Sequence, residues 1–119
     1  MSGHRIERLN ADIQKELADI IRELKDPRVK GLLSVVKVSV SGDLSYAEAY
    51  ISDAEGIVKT KEAVEGLDHG KGFIKRELGQ RLRLKKTPEL RFIADDSIAC
   101  GAEISRRIRE LNSGFEPQE

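Results

Sequence analysis

The stretch that decides the fold is residues 33–51, which read LSVVKVSVSGDLSYAEAYI. Its first half alternates valines with polar residues, the period of a strand that buries one face. Ser41-Gly42-Asp43 then supplies turn-forming residues. The alternation resumes with Ala47, Ala49 and Ile51 on one side and Tyr46, Glu48 and Tyr50 on the other. The pattern predicts two antiparallel strands joined as a hairpin, with the tyrosines on its open face.

A long amphipathic helix is predicted before the hairpin. Its apolar residues recur at steps of three and four: Ile6, Leu9, Ile13, Leu17, Ile20, Ile21 and Leu24. Asp26-Pro27 is expected to end this helix, because proline disfavours helical geometry in the residue before it.

Two helices, a strand and a last helix are predicted after the hairpin. The apolar positions of the first helix are Val58, Ala63, Val64 and Leu67, and those of the second are Phe73, Ile74, Leu78, Leu82 and Leu84. The strand has Leu90, Phe92 and Ala94, and the last helix has Ile98, Ile104, Ile108 and Leu111. Phe73 and Phe92 have the pattern of core residues, and residues 95–97 suit a helix cap. The order predicts an α+β protein of the type II KH-like class, with helices on one face of a three-stranded sheet and a kinked central helix pair. We expect one domain over residues 1–112 and a short flexible tail over 113–119.

Length and composition limit the class of protein. A chain of 119 residues suits a single domain, and no apolar run approaches the ~20 residues of a membrane span. The polar start of the chain does not resemble a signal peptide, and Cys100 is the only cysteine. We therefore expect a cytoplasmic monomer without a membrane partner.

The charge is unevenly distributed along the chain. The formal net charge is zero, yet residues 71–91 carry a net +6 and residues 43–68 a net −5. This division allows one basic surface to face a polyanion. A well-solvated helix face is the alternative interpretation.

No enzyme motif is present. His4 and His69 lie far apart without the neighbours that a zinc site needs. Asp95-Asp96 is better explained as a helix cap than as a metal site. Gly70-Lys71 lacks the upstream glycine and the following Ser or Thr of a phosphate-binding loop. We predict no catalytic residue, cofactor or metal.

Nucleic-acid binding is better supported. The candidate phosphate-binding residues are Lys71, Lys75 and Arg76 on the second central helix and Arg83, Lys85 and Lys86 after it, with Arg5, Arg8 and Arg28 as second-rank candidates. The GxxG loop of RNA-binding KH domains is absent. Gly70 and Gly72 are expected to bend the helix pair. A phosphate contact at these glycines is compatible with the sequence as well. Aromatic residues make up only 4%, so folded RNA is a better partner than a free single strand.

Several short motifs, in order and spacing, resemble the ribosome-binding factor A family. They are residues 25–28 (KDPR), 43–47 (DLSYA), 72–75 (GFIK), 82–84 (LRL) and 88–92 (PELRF), continued by Asp95, Ser97, Ile98 and Gly101. The similarity runs from about Arg5 to Leu111.

The resemblance implies a type II KH-like fold in which a helix kink replaces GxxG. It implies binding to the small ribosomal subunit and its rRNA, near the rRNA end and the neck, and a role in late maturation that includes 5′-end processing. Ribosomal proteins and other assembly factors are further implied partners. The family is not a nuclease. Its kink usually reads Ala-x-Gly, whereas here residues 70–72 read GKG.

Two other functions stay open. A protein-interaction module would use the open sheet face with Tyr46 and Tyr50. A small enzyme would need a converging polar pocket, which the sequence does not supply.

Overall fold

The computed structural model describes residues 2–29 and 33–114. The elements are α1 (Ser2–Glu23), β1 (Leu33–Val40), β2 (Tyr46–Asp53), α2 (Ile57–His69), α3 (Lys71–Leu82), β3 (Glu89–Ala94) and α4 (Ser97–Gly114). Their order is the predicted one. Helix α4 includes residues 113 and 114, and the rest of the expected tail lies outside the described residues. The domain boundary at residue 112 stays a prediction.

The sheet is mixed and has the order β1-β2-β3. β1 and β2 form the predicted antiparallel hairpin, with an irregularity between Val35 and Lys37. β2 and β3 are parallel, because the chain crosses over through α2 and α3 before it returns. This topology, with four helices, is an α+β fold of the type II KH-like class.

The core lies between one face of the sheet and the helices. The sheet contributes Val38, Val40, Ala47, Ala49, Ile51, Leu90 and Phe92, and the helices contribute Ile13, Leu17, Ile20, Leu67, Ile74 and Leu78. Tyr46 and Tyr50 alternate with buried alanines and point to the other face, which confirms the period predicted for β2.

Side chains of α1 cover the free edge of β1. The Gln14 side chain donates to the carbonyl of Val35 at 2.8 Å, and the Asn10 side-chain oxygen accepts from the N–H of Val40 at 2.9 Å. Both bonds satisfy backbone groups that an edge strand would leave open. They fix the N-terminal half of α1 beside the hairpin.

α1 ends at Glu23, just before Asp26-Pro27, where the Asp26 carboxylate accepts from the N–H of Arg28 and forms a turn. Other details of the predicted pattern are wrong. Val58 is 69% exposed, because Thr60 faces the core and bonds to Asp53 and Gly56.

Phe73 was expected in the core, but 43% of its surface is exposed, because Ile74 and Leu78 take the buried face of α3. In α4 the predicted apolar residues Ile104, Ile108 and Leu111 are all more than half exposed. None of the helices in the described ranges has the length and apolar character needed to cross a membrane.

Candidate nucleic-acid interface

The basic helix α3 follows α2 after a bend at a single residue, Gly70. Its φ of −93° and ψ of 11° lie in a region open to any residue type. The N–H of Gly70 donates to Gly66, and its carbonyl accepts from Ile74 at 3.0 Å, so helical hydrogen bonding continues through the bend. Gly72 lies in the first turn of α3 and faces open space. The bend therefore sets the direction of α3 without forming a loop.

The basic side chains at the start of α3 are not equally available. The Lys71 ammonium lies 3.5 Å from an Asp68 oxygen, and the Lys75 ammonium lies 3.0 Å from a Glu89 oxygen. The hydrogen bond from Lys75 lowers the pKa of Glu89. Arg76 is exposed and has no ion pair among the described residues. At this end of α3, Arg76 is therefore open to solvent, whereas each of the two lysines is already paired with a carboxylate.

Arg81 serves the fold, although the sequence counts it in the basic stretch. Its guanidinium lies 2.8 Å from Glu23, 3.3 Å from Glu77 and 3.9 Å from Glu16. The bonds to Glu23 are the main reason that the pKa of Arg81 is raised. Because two of these glutamates belong to α1, the cluster joins α1 to α3 and neutralises the charge of Arg81.

The loop after α3 is held in a fixed direction. Arg83 adopts a left-handed conformation with φ of 53°, and the N–H groups of residues 83 and 84 donate to Gln80 and Gly79. These two bonds form the Schellman motif that ends many helices. Thr87 packs closely on Gly79, with its hydroxyl in the space that a Cβ at residue 79 would need. The loop therefore has little freedom at either end.

The same loop presents three free positive charges close together in the chain. Arg83, Lys85 and Lys86 are exposed and make no ion pair within residues 2–29 and 33–114. Their direction is set by the Schellman motif on one side and by buried Pro88 on the other. A partner with regularly spaced negative charges can meet these side chains with little reordering of the backbone.

A groove joins this loop to the N-terminal half of α1. We call it the Leu84 groove. It has a volume of about 420 Å³ and is lined by Arg5, Ile6, Arg8, Leu9, Asp12, Gly42, Leu44 and Leu84. Arg5 and Arg8, distant in sequence from residues 83–86, thus lie beside the same loop, and both are exposed without an ion pair in the described part of the chain. No local pattern around these two arginines indicates this convergence.

Arg28 lies elsewhere. Its guanidinium forms two hydrogen bonds with the Asp26 carboxylate, at 3.1 and 3.0 Å. These bonds, with one from the backbone of Arg28, lower the pKa of Asp26 to about 2. Both residues pack against Gly66 of α2. The structure thus places Arg28 in a turn that supports the bend, away from the Leu84 groove.

The open sheet face carries two cations that sequence reasoning missed. The Arg91 guanidinium lies 3.9 Å from the centre of the Tyr46 ring, and the Lys37 ammonium lies 5.9 Å from that of Tyr50. Both distances suit cation–π contacts. Only the register of three strands brings these pairs together, so no local sequence signal reveals them. They form a second charged surface, opposite the helices.

These surfaces present exposed, positively charged side chains. Over residues 2–29 and 33–114, no three or more His, Cys, Asp or Glu side chains are grouped so as to hold a metal ion. The exposed guanidinium and ammonium groups are donors suited to phosphate oxygens. Leu44 and Leu84, which were not among the predicted site residues, add apolar surface between them. A leucine directly after the turn-forming residues Gly42 and Asp43 is a local sequence signal for this feature.

Comparison with known proteins identifies the family. The family model for ribosome-binding factor A matches residues 5–108. A curated relative, ribosome-binding factor A of Acetivibrio thermocellus, is 44% identical over 110 residues, which cover 92% of this chain and 89% of the relative.

Two solved structures are also similar. The crystal structure of ribosome-binding factor A from Thermus thermophilus has a TM-score of 0.67 and 28% identity, covering 75% of this chain and 94% of that one. A homology model of the same Thermus protein, fitted into the cryo-EM map of a 30S–RbfA complex, has a TM-score of 0.57 and 27% identity, covering 71% and 88%. The fold, the order of the motifs and these matches agree, and the chain belongs to the ribosome-binding factor A family.

Proposed function

We propose that this protein binds the small ribosomal subunit through rRNA phosphates. The proposal draws on the fitted 30S complex of the Thermus relative and on the distribution of free charge. The working surface, which we call the basic surface, comprises Arg5, Arg8, Arg76, Arg83, Lys85 and Lys86, together with Lys71 and Lys75 once their ion pairs exchange.

The observation that carries the proposal is that Arg5 and Arg8 of α1 line one groove with Leu84, whose loop also carries Arg83, Lys85 and Lys86. These five cations have no ion-pair partners in the described ranges. A cation already paired inside the protein gains little from a phosphate, whereas an unpaired one releases the counterions around the RNA. Arg81 and Arg28 are paired inside the protein, whereas Arg83, Lys85 and Arg8 have no ion pair in the described ranges. Several unpaired cations therefore lie where α1 and the end of α3 meet.

We further propose the role of an assembly factor. The chain would act on immature small subunits in the cytoplasm, as a monomer, and would promote late maturation that includes 5′-end processing of the rRNA. It would act by binding and not by catalysis, since the basic surface offers phosphate ligands and no nucleophile with an adjacent base. Gly70 and Gly72 would shape the bend that aims α3, and ribosomal proteins or other assembly factors would be additional partners.

A second candidate is a protein-interaction surface on the open sheet face. The Arg91–Tyr46 and Lys37–Tyr50 pairs favour it, because such amphipathic aromatic surfaces are common in protein interfaces. Binding through this face would survive the loss of Lys85 and Lys86 and would depend on Tyr46.

Sedimentation with purified ribosomal particles tests the proposal. We expect the protein to co-sediment with free small subunits and to bind assembled ribosomes little. Lys85→Ala/Lys86→Ala should weaken binding and flatten the slope of log affinity against log salt by roughly 0.7–0.9 for each phosphate that is no longer neutralised. Lys25→Ala/Lys61→Ala removes the same charge from exposed positions outside the basic surface, where neither lysine has an ion pair in the described ranges, and should leave the slope unchanged.

If the two double variants bound small subunits with equal affinity, the loss of net charge alone would explain the effect, and the proposed surface would be contradicted. Equal association with assembled ribosomes would contradict the assembly role. Loss of binding in Tyr46→Ala alone would favour the open sheet face.

A further inference from the structure

The Leu84 groove combines apolar walls with a cationic rim. Leu9, Leu44 and Leu84 contribute the apolar lining, and Arg5 and Arg8 lie at its edge on successive turns of α1. Its volume of about 420 Å³ falls within the range of roughly 300–1,000 Å³ typical of sites for small molecules. The groove is therefore large enough for a single flat group, and too small for a helix.

Leu44 is the residue that folding explains least. It lies at the hairpin turn with φ of 62°, a left-handed conformation that side chains other than Gly, Asn and Asp rarely adopt. It is also 42% exposed and does not belong to the core. A large apolar side chain held in a disfavoured conformation and left in water indicates a role in contact with a partner.

The turn itself holds Leu44 in place. The Asp43 carboxylate accepts hydrogen bonds from the hydroxyls of Ser41 and Ser45, at 2.8 and 2.7 Å, and from the N–H of Ser45. The N–H of Leu44 donates to the carbonyl of Ser41 at 2.9 Å. The apolar side chain is thus preorganised beside the groove, which reduces the entropy lost on binding.

The charged residues at the Leu84 groove indicate the chemical class of its ligand. Two cations, Arg5 and Arg8, line the groove, and Arg83 and Lys85 flank Leu84 in the chain; none of the four has an ion pair in the described ranges. Among the lining residues, Asp12 alone is acidic. A nucleotide matches this arrangement, since its base is flat with two apolar faces and its flanking phosphates are anionic. A paired base cannot enter such a groove, whereas an unpaired base can be turned out of the RNA and read by the protein.

We propose that the Leu84 groove holds one unpaired nucleotide of the rRNA, with its base between Leu44 and Leu84 and its flanking phosphates on Arg5 and Arg8. This inference rests on the proposed function, because it assumes an RNA partner for the basic surface. It adds a preference for a bulged or looped nucleotide over continuous duplex, which phosphate contacts alone do not give.

Two RNA probes test the preference by fluorescence anisotropy. One is a short perfectly paired RNA duplex, and the other is the same duplex with one extra unpaired adenosine in the middle of a strand. We expect the wild type to bind the bulged duplex roughly five- to tenfold more tightly, the effect of burying a few apolar groups. Lys85→Ala/Lys86→Ala should weaken both complexes by the same factor.

Leu44→Asn is the decisive variant. Asparagine tolerates the left-handed conformation better than leucine, so the variant should unfold at the same urea concentration as the wild type or higher. It should nevertheless lose the preference for the bulged duplex while it binds the paired one unchanged. Leu84→Ala, which removes the facing wall, should lose the same preference.

The outcomes separate the two proposals. Equal binding of the two duplexes by the wild type, or a preference that Leu44→Asn keeps, overturns the nucleotide site and leaves the basic surface intact. Failure to bind either duplex at low salt overturns both proposals. Displacement of bulged RNA by an acidic, leucine-containing peptide at lower concentration than by paired RNA would identify a protein occupant and overturn the nucleotide site.

Discussion

Gly70→Ala is the sharpest test of the bend that aims α3. The backbone at Gly70 has a negative φ, so an L-amino acid fits it without strain. A Cβ placed there would lie 3.8 Å from the carbonyl oxygen of Gly66 and 3.9 Å from Leu24, which are ordinary contact distances. Alanine therefore brings no clash, and it restricts the unfolded chain. We expect the free energy of unfolding to rise by up to about 1 kcal/mol.

Gly66→Ala is the matched control one helical turn earlier. A Cβ at Gly66 would lie 2.7 Å from a methyl carbon of Val29 and 3.2 Å from the Cβ of Arg28. The turn at residues 26–29 would have to move away from α2, and overpacking of this kind costs roughly 1–3 kcal/mol. Glycine to alanine is thus expected to raise the free energy of unfolding at residue 70 and to lower it at residue 66.

Urea unfolding followed by circular dichroism measures both changes. The midpoint should rise slightly for Gly70→Ala and fall clearly for Gly66→Ala, with the slope of each transition unchanged. A loss of more than about 1 kcal/mol in Gly70→Ala would contradict a simple bend, because it would mean that Gly70 has the conformation of a true loop.

Three further variants probe the ion pairs and the free cations. Lys75→Ala/Arg76→Ala should leave the fold intact and weaken binding to small subunits, with a flatter salt slope in co-sedimentation; an unchanged slope would mean that α3 is merely solvated. Arg81→Met should lower the urea midpoint, more at low salt than at high salt, because it leaves three glutamates without their shared cation. Asp26→Asn should be less stable than the wild type at pH 7. Since the pKa of Asp26 is lowered to about 2, that difference should shrink as the pH falls from about 3.8 towards 2, and a constant difference would contradict the pairing with Arg28.

Local patterns were enough to predict the elements and most of the core. The alternation in β2 placed Ala47 and Ala49 inward and Tyr46 and Tyr50 outward, as the structure has them. These features depend on backbone periods of 2.0 and 3.6 residues, which act over a few residues. Phe73 and Val58 were misplaced because a neighbouring residue in the same helix took the buried face.

The availability of charge could not be predicted in the same way. Arg81 and Arg83 are two residues apart and look equivalent in the sequence. Arg81 lies among glutamates of two helices, whereas Arg83 is exposed in a left-handed conformation just after α3. The difference depends on how α1 crosses α3, which is a long-range feature of the fold. The convergence of Arg5 and Arg8 with the 83–86 loop has the same origin.

The division between free and paired cations implies an order of engagement with RNA. The cations around the Leu84 groove, unpaired within the described ranges, can meet phosphates at once. Lys71 and Lys75 must first leave Asp68 and Glu89, but exposed ion pairs of this kind contribute little, with a median of about 0–1 kcal/mol, so a phosphate can replace the carboxylate. Glu89 then becomes a competitor for the RNA. Its removal in Glu89→Gln should free the ammonium of Lys75 and tighten binding, whereas neutralising a glutamate bound to Arg81 should chiefly weaken the fold. A chain of zero net charge can in this way bind a polyanion through the cations that the fold leaves unpaired.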